Sequence, residues 1–306
     1  MAAEAPGAPA VSVVVLTWNR RELLAASLEA VLAQTAGDLE VLVIDNESTD
    51  GTEAFVTAHA DPRVRYFRNA NGGNLSVNRN YAVARARGRW IAFCDDDDLW
   101  APGKLAAQLE AAAAHPDAGV VCSDAVYFSV DDATGEATEF GTLLGCGGVD
   151  SWLGLGDLLH GHNGVVLSSA LVRREVFDRI GAWDTDPGIF AIEDYQYWIR
   201  CAAAGVRIRR LGAALLRYRV HAAMVSHADN RVTQRKQLYM IGRLHERGVL
   251  DDAAYAGARA EFRRSARLAR VKHAFKRVPG LKAAVYGMRS RRHAAADARS
   301  DHGPVR

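Results

Sequence analysis

Short runs of β-branched and aliphatic residues alternate with segments of helical period along the first hundred residues. The run Val11–Thr17 is typical of a strand buried on both faces, and apolar residues then recur at helical spacing as far as Gly37. Two more cycles follow, with strands predicted at 40–44 and 64–67 and helices at 52–60 and 77–87. Alternation of this length predicts right-handed βαβ units and a mainly parallel sheet.

A fourth apolar run, residues 89–94, ends in four consecutive aspartates, Asp95, Asp96, Asp97 and Asp98. Beyond it the pattern predicts a helix over 104–115 and a strand over 119–123, and it loosens over 127–148 into a hairpin or a mobile loop. The remaining predicted elements are strand pieces at 163–168 and 171–172, a helix over 174–180, a helix that begins at Glu193 and a strand over 215–220.

The length of 306 residues allows either two average domains or one large α/β domain with an appendage. Since 49% of the residues are apolar, a substantial core is possible. The net charge of +2 does not favour nucleic acid as a partner. The four cysteines form no C-x-x-C pair, which favours a reduced, cytosolic protein without structural zinc. Residues 1–10 lack the features of a signal peptide, and no run is long enough to cross a membrane. We therefore expect a soluble or at most peripheral protein with a disordered start.

The C-terminal part of the chain is strongly basic. Residues 259–292 contain twelve Arg and Lys residues against one acid, Glu261, so the rest of the chain is net acidic. An intermittent apolar stripe favours a helical extension over 226–291 that packs on its own domain, and contact with an anionic membrane surface is the alternative. Nucleic acid is less favoured because aromatic residues are few. Residues 292–306 are expected to be disordered.

The aspartate run is the first candidate for chemistry. Adjacent carboxylates at the end of a buried strand raise one another's proton affinity, and a divalent cation would relieve that cost. Oxygen ligands of this kind suit Mg²⁺ or Mn²⁺, which bind one or two carboxylates together with substrate phosphates. A solvated acidic loop is the alternative.

Other candidates stand at neighbouring strand ends, where ligands bind in parallel sheets. The chain has neither a P-loop nor a G-x-G-x-x-G turn after the first strand, so a nucleotide site would need other groups. Trp18 would stack on a base, Asp45 would accept from a base or ribose, and Arg79 would counter phosphate charge. Taken singly, such residues are more often a core aromatic, a turn cap and a surface helix cation, and two carboxylates such as Glu193 and Asp194 at a helix start commonly just interact with the helix dipole.

Five ordered motifs resemble those of family 2 glycosyltransferases, and the likeness extends over residues 11–221. They are VSVVVLTWNR at 11–20, VIDNESTDGT at 43–52, NGGNLSVNRN at 71–80, GRWIAFCDDDDLW at 88–100 and EDYQYWIR at 193–200. The resemblance implies a GT-A fold, a nucleotide-diphosphate sugar donor, most commonly a UDP-sugar, and inverting transfer. It divides the chain into a nucleotide-sugar-binding half at 11–125 and an acceptor-binding and catalytic half at 126–225.

The resemblance also implies roles for single residues. The first motif (Thr17, Trp18, Asn19) and Asp45 would bind the base. Arg79 would contact the nucleotide, and Asp95 and Asp96 would bind ribose and metal. Asp97 would be the direct ligand of Mn²⁺ or Mg²⁺, although four aspartates blur the register and Asp98 could cap the following turn. Asp194, next to Glu193, matches the catalytic base. His221 matches a late metal ligand, and a histidine bonded to a carboxylate is the alternative.

The chemistry of sugar transfer is consistent with this set. A bound cation stabilises the leaving diphosphate, and a carboxylate takes the proton of the attacking hydroxyl, which contributes about 10²- to 10⁴-fold. The acceptor could be a glycan, a lipid-linked sugar, a peptide or a small molecule, and a homodimer is compatible with the sequence. Competing interpretations are a non-catalytic nucleotide-sugar sensor or scaffold, a sugar nucleotidyltransferase, which should carry a Gly-rich basic loop after strand one, and a glycoside hydrolase.

Overall fold

The fold is seen in a computed structural model that describes residues 7–131, 134–160, 163–221 and 230–276. The strands are β1 Val11–Thr17, β2 Leu39–Asp45, β3 Val64–Arg68, β4 Trp90–Asp95, β5 Leu99–Trp100, β6 Ala118–Val130, β7 Ala137–Thr142, β8 Ser151–Leu153, β9 Leu171–Arg173 and β10 Arg207–Arg219. The helices are α1 Arg21–Leu32, α2 Thr52–Thr57, α3 Leu75–Val83, α4 Lys104–Ala114, α5 Leu155–Leu159, α6 Arg174–Ile180, α7 Glu193–Ala203, α8 Asn230–Glu246 and α9 Asp252–Lys276. The expected disorder at 292–306, and most of that at 1–10, lies outside the described residues.

The ten strands of the described residues join one mixed sheet in the order β3-β2-β1-β4-β9-β6-β10-β5, with β7 on β6 and β8 on β10. The pairs β3/β2, β2/β1, β1/β4 and β6/β10 are parallel, and the short β9 runs antiparallel between β4 and β6. The predicted mainly parallel α/β sheet flanked by helices is therefore confirmed.

Helices cover both faces of the sheet because the inner strands are apolar on both sides. Val13 and Val15 of β1 point to one face, where α1, α2 and α4 pack, and Val14 points to the other. That second face carries α3 and α5 to α9. Within α8 and α9, Met240 and Phe262 are buried in the same core as β4, so these helices pack on the α/β domain.

Several predicted elements differ in the structure. The helix expected at 77–87, for example, is α3 at Leu75–Val83. The strand piece at 163–168 is not a strand: a 3-10 turn, Leu167–Ser169, precedes β9. Strands β6 and β10 are each thirteen residues long, more than twice the predicted length, because they pair with each other along most of their length. In β10, Arg209 and Arg210 interrupt the apolar run, which hid its first half from pattern reading. Residues 127–148 contain the β6/β7 hairpin, the first of the two expected alternatives.

None of the helices among the described residues is sufficiently long and apolar to span a bilayer.

Candidate active site

The carboxyl ends of β1, β2 and β4 lie side by side. Thr17 is in register with Asp45 across β1 and β2, and Leu16 is in register with Asp95 across β1 and β4. Parallel strands end at one edge of the sheet, so the first, second and fourth motifs meet there. The structure thus brings together candidates that lie far apart in the sequence.

Asp45, at the end of β2, is fully buried and organises the loop that follows it. Its Oδ1 accepts from the Ser48 backbone N–H at 2.9 Å and from the Ser48 hydroxyl at 2.6 Å. Its Oδ2 accepts from the Tyr66 hydroxyl at 2.7 Å. The turn-cap interpretation therefore describes its present contacts. A nucleotide base would have to share these oxygens or displace the Tyr66 hydroxyl.

Trp18 is 59% exposed, which excludes the core interpretation of this residue. Its neighbour Asn19 adopts a left-handed backbone, with φ of 52°. The Asn19 N–H donates to the Ser48 hydroxyl at 2.8 Å, and its side-chain oxygen accepts from the Thr49 N–H at 2.7 Å. These bonds fix the β1 and β2 loops to each other and leave the indole ring of Trp18 free to stack on a planar ligand.

Asp95 and Asp96 are carboxylates whose charged forms are disfavoured by burial. Burial raises the pKa of Asp95 to about 6, and the charge of Asp97 adds to the rise while Arg79 opposes it. Burial likewise raises the pKa of Asp96 to about 6, against the lowering effect of Arg20. Asp96 also accepts from the Thr17 hydroxyl at 2.8 Å, so Thr17 holds the aspartate run in place.

The Asp98 side chain is hydrogen-bonded to β10. Its Oδ1 accepts from the Arg219 backbone N–H at 3.1 Å, and its Oδ2 has no hydrogen-bond partner among the residues that the structure describes. Burial, together with the charges of Asp95 and Asp97, holds the pKa of Asp98 well above its usual range. Asp98 therefore connects the aspartate run to β10.

Arg20 is a site residue to which the sequence analysis gave no role. Its Nη1 lies 3.1 Å from Asp96 Oδ1 and 3.0 Å from Asp97 Oδ2, so one guanidinium bridges two of the four aspartates. The only sequence signal was its place as the last residue of the first motif. Asp97 Oδ2 also lies 3.0 Å from His221 Nε2, so the alternative of a histidine bonded to a carboxylate describes the present contact of His221.

The residues around Asp97 fit a cation that takes part of its coordination from the substrate. Among residues 7–131, 134–160, 163–221 and 230–276, no group of three or more His, Cys, Asp or Glu side chains is arranged to hold a metal ion. Asp97 Oδ2 and His221 Nε2 are nevertheless 3.0 Å apart. Two neighbouring ligands of an octahedral ion, each about 2.1 Å from it, have a similar spacing. The pair could supply two ligands, with phosphate and water completing the set.

Arg79 and Glu193, which were expected to act separately, form a buried ion pair. Arg79 Nη1 lies 2.5 Å from Glu193 Oε1, and their side chains are 4% and 5% exposed. Burial alone would lower the pKa of Arg79, but the charges of Glu193, Asp95 and Asp194 raise it. The guanidinium therefore balances carboxylates from the aspartate run and from the start of α7.

Asp194 is the second residue of α7 and is half-buried. Its Oδ2 accepts from the Asn163 side-chain amide at 2.8 Å. Burial raises the pKa of Asp194 to about 7, the Glu193 charge adds to the rise, and Arg79 opposes it. A carboxylate of this pKa is suited to accept a proton near neutral pH. Sequence reasoning missed Asn163 because no pattern surrounds it.

The sequence matches a known protein family and is similar to single known proteins. Residues 12–181, more than half of the chain, match the sequence model of Glycosyl transferase family 2. The UDP-Glc:alpha-D-GlcNAc-diphosphoundecaprenol beta-1,3-glucosyltransferase WfaP of Escherichia coli is 27% identical over 216 residues, covering 71% of this chain and 79% of the relative. The succinoglycan biosynthesis protein ExoO of Rhizobium meliloti is 40% identical over 107 residues, but the match covers 34% of this chain and 30% of ExoO.

Two solved structures share the fold. Staphylococcus aureus TarS in complex with UDP-GlcNAc superposes with a TM-score of 0.63 at 18% identity, covering 82% of this chain and 71% of TarS. The mannosyltransferase PcManGT from Pyrobaculum calidifontis, in complex with GDP-Man and Mn²⁺, gives a TM-score of 0.58 at 19% identity, covering 92% and 80% of the two chains. At these identities the likeness is one of architecture.

Proposed function

Since the chain belongs to glycosyltransferase family 2 and has the GT-A fold, we propose that it transfers a sugar from a UDP-sugar. The acceptor in this proposal is a hydroxyl group of a lipid-linked glycan, and Asp194 is the general base. The name of WfaP supports both the UDP-sugar and the diphospholipid-linked acceptor, and the UDP-GlcNAc complex of TarS supports the donor class. The observation that carries the proposal is the half-buried Asp194 carboxyl, with its raised pKa, beside the aspartate run.

The proposed reaction is a single displacement. The acceptor oxygen forms a bond to the anomeric carbon of the donor, the bond from that carbon to the diphosphate oxygen breaks, and its electron pair leaves with the diphosphate. Asp194 takes the hydroxyl proton, and Asn163 holds the carboxylate in place through its 2.8 Å hydrogen bond. Attack opposite the leaving group inverts the anomeric centre.

For the donor, we assign the base to Trp18 and Asp45. Trp18 stacks on the uracil ring, and Asp45 accepts from its N–H in place of the Tyr66 hydroxyl. Asn19 and Thr17 hold these loops, and Asp95 and Asp96 receive the ribose side of the donor. The buried Arg79 guanidinium balances the negative charge of the aspartates and keeps Glu193 in place.

For the diphosphate, we assign a Mn²⁺ or Mg²⁺ ion to Asp97 and His221. When bound, such an ion stabilises the negative charge that develops on the leaving oxygen. Arg20 now spans Asp96 and Asp97, and we assign its guanidinium a contact with the diphosphate in the loaded enzyme.

The basic surface of the C-terminal helices suits an enzyme with a lipid-linked acceptor. Arg235 on α8 and Arg259 and Arg263 on α9 are exposed, and we propose that they contact anionic lipid headgroups. Purified protein should then bind vesicles containing phosphatidylglycerol, and the bound fraction should fall as salt rises. Absence of binding at low salt would refute this assignment.

The test of the base is Asp194→Asn in the full chain. We expect UDP-sugar affinity in the presence of Mn²⁺ to stay within about twofold, and transfer to fall by about 10²- to 10⁴-fold. In the unaltered enzyme, kcat/KM should fall as the pH drops through about 7, because protonated Asp194 cannot accept the proton. Donors are first identified by thermal shift with a panel of nucleotide sugars, and products by mass-resolved transfer to lipid extracts.

The matched control is Asp178→Asn, which removes an exposed carboxylate from α6 and should leave affinity and rate unchanged. Transfer by Asp194→Asn at the original rate would refute Asp194 as the base. Tight donor binding without transfer by the unaltered protein would instead favour a nucleotide-sugar sensor.

A further inference from the structure

Residues 184–190, here called the approach loop, lead directly into the start of α7, where Glu193 and Asp194 lie. Two aspartates shape the loop from within. Asp184 Oδ1 accepts from the Asp186 N–H at 3.1 Å, and Asp186 Oδ1 accepts from the Gly188 N–H at 2.8 Å. These local bonds use one oxygen of each carboxylate and leave the second oxygen for other partners.

Helix α8 supplies those other partners. The Tyr239 hydroxyl donates to Asp186 Oδ2 at 2.8 Å, and Arg247, directly after α8, pairs with Asp184 Oδ2. The Lys236 ammonium group donates to the Phe190 carbonyl at 2.6 Å. The approach loop is therefore held near both of its ends and in its middle by a helix that follows it by more than forty residues.

The middle of the loop is also in close apolar contact with α8. A Cβ atom added at Gly188 would lie 2.4 Å from the ring of Tyr239, well inside van der Waals contact. Only a glycine lets the loop backbone approach the ring so closely. The Tyr239 ring and its hydroxyl thus contact adjacent parts of the loop.

The approach loop also contacts the helices that carry Glu193, Asp194 and Arg79. Asp184 Oδ2 accepts from the Gln196 side-chain amide at 2.9 Å, and Gln196 lies one turn into α7. On the other side, the Asn74 side-chain amide, at the start of α3, donates to the Thr185 carbonyl at 3.1 Å. Since α3 carries Arg79, the loop joins both helices of the buried Arg79 and Glu193 pair.

Between the loop and Glu193 stands Ala191, which has a left-handed backbone with φ of 68°. This conformation is unfavourable for a residue with a Cβ atom and persists where the surrounding structure imposes it. The backbone that sets the position of Asp194 is therefore not held by its own local preference. The contacts of the approach loop help to hold it, together with the buried Ile192 side chain and the ion pair of Glu193 with Arg79.

We propose that Lys236, Tyr239 and Arg247, here called the α8 clamp, fix the approach loop and thereby position Asp194 for proton transfer. The inference rests on the proposed function, since it assigns positioning residues to the reaction at Asp194. Lys236, Tyr239 and Arg247 lie outside residues 12–181, the part that matches the family model.

A clamp of this kind should affect rate more than donor affinity. A general base must be held within a fraction of an ångström of its productive position, and small displacements are costly in rate. The donor contacts proposed above lie at the ends of β1, β2 and β4, and within the described part of the chain the α8 clamp makes no contact with them. Loosening the loop should therefore lower kcat and leave the donor KM nearly unchanged.

The test compares Tyr239→Phe, Arg247→Gln and the double variant in the full chain. Tyr239→Phe removes only the hydroxyl and keeps the ring against Gly188. We expect kcat to fall about threefold in each single variant and about tenfold in the double variant, with the donor KM within twofold. Arg247→Lys should recover part of the rate, because it keeps a positive charge near Asp184. Hydrogen exchange of the amides of residues 184–196 should become faster in the same order.

The control is Tyr255→Phe on α9, whose ring stacks on His245 and whose hydroxyl has no partner among the described residues. It should change neither kcat nor exchange. Unchanged kcat and exchange in the double clamp variant would overturn the proposal, as would a rise in donor KM that matches the fall in kcat. If Asp194→Asn still transfers sugar, the assignment of the base fails instead, and that result is independent of the clamp variants.

Discussion

Breaking the buried ion pair between Arg79 and Glu193 should cost stability and also move the pH dependence of the reaction. Both side chains are almost completely removed from solvent, at 4% and 5% exposure. Removing one partner of such a pair typically costs about 3–5 kcal/mol, because it leaves a buried charge uncompensated. Glu193→Gln should lie near the lower limit, since Asp95 and Asp194 still stabilise the Arg79 guanidinium. Arg79→Met should lie near the upper limit, because it leaves all three carboxylates without that counter-charge.

These energies convert into measurable shifts of the melting temperature. An unfolding entropy of about 2.1 cal/mol/K per residue gives about 0.6 kcal/mol/K for a chain of 306 residues. Glu193→Gln should therefore lower Tm by about 5 °C and Arg79→Met by about 8 °C. The Arg79→Met/Glu193→Gln double variant should lose clearly less than the sum of the two single variants, because neither charge is then left alone.

The pH dependence of kcat/KM tests the same ion pair independently of stability. The Glu193 charge raises the pKa of Asp194, so Glu193→Gln should move the acid side of the kcat/KM profile to lower pH. Urea denaturation followed by circular dichroism measures the stability cycle, and steady-state transfer between pH 5 and 9 measures the profile. Additive losses in the double variant, or an acid limb that moves to higher pH in Glu193→Gln, would refute this account of the ion pair.

Two further predictions concern the donor. Asp97→Asn should reduce Mn²⁺-dependent UDP binding to the level seen with EDTA, and His221→Ala should weaken this binding in part. Calorimetry on the unaltered protein that gives the same UDP affinity with and without Mn²⁺ would contradict the assigned ligands. Trp18→Ala should weaken UDP binding by about 1–3 kcal/mol through lost stacking. It should leave Tm unchanged, since the indole is 59% exposed. A fall in Tm without loss of UDP affinity would contradict a stacking role.

Much of the fold can be read from local sequence because its signals are local. The apolar run Val11–Thr17 and the alternation after it predict strands, helices and a mainly parallel sheet. Since parallel strands end at one edge, the sequence also predicts that Asp45 and Asp95 come together, and the register of β1 with β2 and β4 places them there. The ordered motifs likewise predict the family to which the chain belongs.

Strand length and side-chain partners could not be read in the same way. The first half of β10 is hidden by Arg209 and Arg210, and only its pairing with β6 makes it a strand. Asp45, expected to face a ligand, is fully buried and bonded to Ser48 and Tyr66. Arg20 carried no signal beyond its place in a motif, and its bridge to Asp96 and Asp97 spans more than seventy residues.

By itself, then, the sequence determined the alternation of strands and helices, the edge of the sheet where chemistry is placed, and the residue types available there. The tertiary structure alone decided which charges compensate each other: Arg79 pairs with Glu193, 114 residues away, and the approach loop is held by α8. The physical reason is that hydrophobic period is a property of neighbouring residues. A buried charge, in contrast, is stabilised only by the partner that the folded backbone brings within hydrogen-bonding distance, whatever their separation along the chain.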